Sequence, residues 1–123
     1  MDYKEIRQWV SKLSLEGYTR HILTDMLHAF EVNLYTAGAL CFRPLLTHIL
    51  FDNSDQEYDV EFVSKLNYDK VVDELQNLGY DAESARVLKD EVNQINHSFK
   101  KGDSDLSEKI TEEVIKILEY FYG

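Results

Sequence analysis

Lys89, Asn93 and His97 follow one another at intervals of four residues, so on a helix an ammonium, an amide and an imidazole share one face. That trio suits a phosphate: Lys89 as a point charge, Asn93 as an orienting donor and His97 as a general acid or base. Arg86 extends the stripe by one turn, and Lys100-Lys101-Gly102 follow as a basic helix exit. The same residue types also describe a solvated polar stripe near a helix end, where cations meet the helix dipole favourably. A second pair is Arg43 and His48, in Arg-Pro-Leu-Leu-Thr-His. At about 100° per residue they lie roughly 140° apart on an unbroken helix. They converge only if Pro44 starts a new helix and Arg43 stands in the loop before it. Otherwise Arg43 snorkels or pairs with an acid, and His48 packs at the edge of the core.

A basic stripe is unexpected on this chain, in which 23 Asp and Glu outnumber 13 Lys and Arg for a formal charge of -10. That balance argues against broad nucleic-acid binding, which needs many cationic contacts to phosphates. It leaves room for a small local phosphate site, or for binding to a basic protein surface. With 123 residues, 44% of them hydrophobic, the chain fits one domain with a real core, 1–123, in which 1–14 is a short N-terminal helix packing on a bundle. Five glycines, one proline and helical apolar spacing predict an all-α fold of five to six helices, an up-and-down bundle. The single Cys41 excludes an internal disulfide, fits a reducing compartment and reads as a small buried hydrophobe. The first 15 residues lack a secretory apolar core, and the apolar run from Leu34 to Phe51 is interrupted by Arg43 and His48. A soluble, cytoplasmic protein with no membrane span is expected.

The elements that must position the stripe follow from periodicity. Ile6, Trp9, Val10 and Leu13 mark an amphipathic helix in 2–13, and Ser14 can cap the next one. Ile22, Leu23, Met26, Leu27 and Phe30 mark a helix in 18–33. The segment 34–51 is apolar nearly all round and should be the central helix, with a kink or break at Arg43-Pro44. Asn53 to Asp59 reads as an acidic loop, and Val60 to Leu66 is ambiguous. Asn67 or Asp69 starts a helix that Gly79 ends. Asp81 caps the featured helix, whose apolar face is Ala85, Leu88, Val92, Ile95 and Phe99. Ser104 or Asp105 caps a last helix with Leu106, Ile110, Val114, Ile117, Leu118 and Phe121 inward. His21, Asp25 and His28 lie along one helix, but three such ligands without Cys make a weak metal pattern. No cofactor motif is present.

With the helices placed, residues 18 to 122 resemble the HEPN superfamily of helical bundles, found in toxin–antitoxin, abortive-infection and CRISPR-linked proteins. Phe30 to Leu46 is similar to that family's central helix, with an aromatic residue before small residues, then an Arg and a Leu pair. Leu88-Lys-Asp-Glu-Val-Asn-Gln-Ile-Asn-His97 is similar to its Arg-Asn-x-x-x-His motif. The resemblance implies a metal-independent ribonuclease fold, usually a homodimer that faces two motifs across one cleft. Asn93 and His97 match the motif, while Val92 stands at the Arg position. Val cannot neutralise a developing phosphate charge. Lys89, one turn away, is the substitute, with Arg43 as an outside candidate.

The expectation is therefore a HEPN-like protein of a defence or toxin–antitoxin system with ribonuclease activity weakened or lost, needing neither cofactor nor metal and touching RNA only if catalytic. The rival is a small acidic protein-binding module, such as a phage-encoded inhibitor or an immunity protein. It would offer Asp52, Asp55, Glu57, Asp59 and Glu61 to a basic protein partner.

Overall fold

Asp2 opens the first helix, α1 (Tyr3–Val10), by accepting a hydrogen bond from the Glu5 backbone N–H at 3.1 Å. The computed structural model describes residues 1–15, 17–54, 65–98 and 100–123. Among them every regular element is a helix, so the fold is all-α. None is long and apolar enough to cross a membrane.

In α2 (Gly17–Glu31), Leu23, Met26, Leu27 and Phe30 are buried at the spacing of one helical face. The helix stops where Asn33 takes a positive φ of 65°. The Leu34 N–H donates to Ala29 O at 2.8 Å and the Asn33 N–H to Phe30 O at 3.1 Å, which satisfies two end carbonyls. The expected central helix is split into α3 (Tyr35–Leu40) and α4 (Phe42–Asn53). The break falls at Cys41, not at Arg43-Pro44, because a proline in the first turn of a helix sacrifices only an N–H that has no intrahelical acceptor. Cys41 is half-buried rather than core, with its thiol directed to Ala37 O at 3.6 Å.

Asn67 caps α5 (Tyr68–Asn77) by accepting from the Lys70 N–H at 2.9 Å. Gly79, at φ 96°, ends that helix as its spacing predicts. The Gly79 N–H donates to Gln76 O at 2.9 Å and the Tyr80 N–H to Leu75 O at 3.3 Å. The Tyr120 hydroxyl occupies the space a Cβ would need there. Gly79→Ala should therefore lower stability by at least about 1–2 kcal/mol, the cost of left-handed backbone for an L-residue. A urea midpoint unchanged from wild type would show that the turn relaxes freely.

The featured helix is α6 (Glu83–Asn96), and the last is α7 (Ser104–Tyr122). Asp81 reaches only the Glu83 N–H, at 3.4 Å, and the residue at the cap position is Ala82. Asp103, one residue ahead of the expected pair, caps α7 by accepting from the Leu106 N–H at 2.8 Å.

Helix α2 packs on α1, α3, α4 and α7, while α3 packs on α2, α4, α6 and α7. The short α3 can sit at this hub because its middle residues, Thr36 to Ala39, are small. A Cβ on Gly38 would clash with the ring edge of Phe30, itself 1% exposed. Helix α5 closes the other side against α4 and α6.

Candidate functional site

The apolar stripe of α6 points inward as its spacing predicts: Ala85, Leu88, Val92 and Ile95 are all buried. Phe99 lies outside the described residues. The polar stripe beside it turns out to be a seam between helices. The Lys89 ammonium pairs with Asp69 of α5, and with its neighbour Asp90 at 3.1 Å. Arg86 pairs with Asp73 of α5 at 2.9 Å and donates to Gln76 Oε1 at 3.3 Å. Asp69 and Asp73 ascend α5 while Lys89 and Arg86 descend α6, so the two helices run antiparallel along their charges. The Lys89 side chain is 10% exposed, and its hydrogen bond to Asp69 raises its pKa against the opposing effect of burial. Lys89 is thereby a structural cation rather than a phosphate ligand.

Asn93 and His97 stay exposed, one turn apart at the end of α6. His97 is the C-cap, and its backbone N–H donates to Asn93 O at 3.1 Å. Lys100, from the basic helix exit, pairs with Glu91 at 3.3 Å. The site residues are thus divided: Asn93 and His97 face outward, whereas Lys89 is turned into the α5 interface.

Arg43 does not join them. It sits inside the first turn of α4, not in a loop before Pro44, so it cannot converge with His48. Its guanidinium donates to Leu66 O at 3.2 Å and lies 5.6 Å from the Tyr68 ring centroid. His48 packs half-buried against Tyr18, with ring centroids 5.5 Å apart. Asp52 accepts from Thr19 Oγ1 at 2.6 Å and from the Tyr122 hydroxyl at 3.2 Å, so this acid ties α2, α4 and α7 together. Asp55, Glu57, Asp59 and Glu61 lie outside the described residues, as does most of the ambiguous 60–66 stretch. No group of three metal-ligating side chains gathers among the described residues.

Two features escape a reading of the sequence. The first is Glu113, 3% exposed on α7 and bordering an open groove of about 390 Å³ between α6 and α7. Its Oε1 accepts from the Tyr80 hydroxyl at 2.5 Å, and its Oε2 pairs with Lys116 at 3.3 Å. The one local signal is position, for residue 113 stands three after Ile110 and four before Ile117, on the inward face. Burial, reinforced by Glu113, holds the Tyr80 phenol well above its usual pKa. A raised folded-state pKa contributes stability that is complete below the unfolded value of 10.0 and is lost progressively as the pH rises above it and through the higher folded-state pKa. Urea midpoints of wild type should therefore fall above pH 10, and the difference between wild type and Tyr80→Phe should shrink over that range. A difference constant with pH would rule the assignment out.

The second feature is a groove between α1 and α7, lined by Asp2, Glu5, Ile6, Trp9, Ile115 and Glu119. Its floor is apolar and its three charged side chains are all carboxylates. Among the described residues none of the three enters a salt bridge. Compared with protein-family models, curated proteins and solved structures, the chain matches none of them. Chemically, three carboxylates around apolar side chains attract cations and repel anions.

Proposed function

We propose that this chain is an acidic protein-binding module that engages a basic partner and has no working ribonuclease centre. One observation carries the reading: carboxylates outside the internal ion pairs gather at an apolar groove. Arg7, Lys70, Arg86, Lys89, Lys100, Lys109 and Lys116 are each paired to an acid of the same chain. Asp2, Glu5 and Glu119 have no such partner among the described residues and surround an apolar groove. A surface of that kind attracts a basic protein, speeds the encounter and selects against polyanions such as RNA.

A second reading, a HEPN-like homodimeric ribonuclease of a defence or toxin–antitoxin system, is favoured by the exposure of Asn93 and His97 together. The two are separated by one experiment with two arms. The full chain is incubated with mixed-sequence RNA and a metal chelator, and is separately titrated with polylysine at rising salt. The binding module leaves the RNA intact and forms a complex that weakens steeply with salt. Metal-free cleavage that disappears in His97→Ala would instead establish the ribonuclease.

A further inference from the structure

We infer that the groove between α1 and α7 is the docking point, and that its occupant is an arginine side chain projecting from an amphipathic segment of the partner protein. The inference rests on the protein-binding reading. Glu5, Ile6 and Trp9 occupy one face of α1, continued by the capping residue Asp2, and Ile115 and Glu119 are one turn apart on α7. Each helix therefore contributes both carboxylate and apolar surface to the same open space, about 340 Å³ in volume.

Trp9 and Ile6 are half-buried, so the apolar face of α1 is only partly covered by the fold. The Arg7–Glu31 pair, at 2.9 Å, links α1 to α2, and neither residue lines the groove. A hydrophobic ligand would satisfy the floor but strand the acids. A compact hydrated cation would satisfy the acids but not the indole. A guanidinium does both: it is planar, weakly hydrated, stacks on an indole and forks to carboxylates. Its aliphatic stem, and apolar neighbours one turn away on the partner, would cover Ile6 and Ile115.

Trp9 is the one tryptophan in the chain, so emission excited selectively at the indole, beyond the tyrosine absorption band, reports on this groove. The probe is an acetylated, amidated helical peptide with arginine on one face and leucine on the other, titrated into the full chain. Its control carries citrulline, neutral and nearly isosteric, in place of every arginine. Saturable change in Trp9 emission with the arginine peptide and none with citrulline is the expected result. Glu5→Gln and Glu119→Gln should each weaken binding about two- to fivefold, the range of exposed ion pairs, and together about tenfold. Glu83→Gln, an exposed acid outside the groove on α6, should bind as wild type does. Equal binding of the citrulline peptide overturns the inference. So does binding that leaves Trp9 emission and the Glu5 and Glu119 variants unmoved, although the protein-binding reading then stands. Absence of any binding overturns the inference, and together with metal-free RNA cleavage it overturns the underlying reading as well.

Discussion

Replacing Val92 with arginine, the residue that the ribonuclease motif requires, is expected to unfold the protein rather than to install a catalyst. Val92 is 0% exposed and belongs to the same buried cluster as Leu88 and Ile95. A guanidinium stays protonated at any ordinary pH, so it cannot escape burial by losing its charge. Leaving a charge buried without a partner costs about 3–5 kcal/mol, a large part of the stability of a typical domain at about 5–15 kcal/mol. Far-UV circular dichroism and urea titration of Val92→Arg should show a much reduced midpoint or an unfolded chain, with no RNA cleavage gained. A folded variant with near-native midpoint and metal-free cleavage would mean that α6 presents this position to a cleft and not to the core.

Phe30→Ala should cost about 3–5 kcal/mol, the usual range for emptying a buried aromatic site. More telling is its coupling to Gly38. In the wild type, Gly38→Ala drives a Cβ against the edge of the Phe30 ring, which is buried in the core. Overpacking of that kind costs about 1–3 kcal/mol and outweighs the better helix propensity of alanine. In a Phe30→Ala background the obstruction is gone, and the same change should stabilise by about 0.5–1 kcal/mol through propensity alone. The sign of the Gly38→Ala effect thus reverses, a non-additivity expected only of residues in contact. Equilibrium unfolding of the four proteins in the cycle measures it. Stabilisation by Gly38→Ala in both backgrounds would show that α3 and α2 do not approach as closely as described.

These effects separate what local pattern could reveal from what it could not. Apolar spacing located α2, α5, α6 and α7 because a 3.6-residue period puts such residues on one side whatever they pack against. Asn67 and Gly79 were legible as helix start and stop because capping and left-handed backbone involve residues within a turn of one another. Pro44 signalled a break in the central segment, but the chain accommodated it inside the first turn of α4 and broke at Cys41.

The candidate site was legible in residue type and not in role. Lys89, Asn93 and His97 do share a stripe, yet a stripe does not say what faces it. The partners of Lys89 and Arg86 are Asp69 and Asp73, contributed by a different helix whose antiparallel packing converts two cations into interhelical ties. Glu113 became a buried carboxylate because Tyr80, from the turn before α6, reaches it. The groove around Trp9 joins residues from opposite ends of the chain. By itself, the sequence determined the all-α class, the inward face of the longer helices and the excess of acid, since each depends on composition or on spacing within a few turns. Only tertiary structure decided which charges are neutralised and which remain open, because Coulomb energy depends on distance in space, and packing alone sets that distance for residues far apart in the chain.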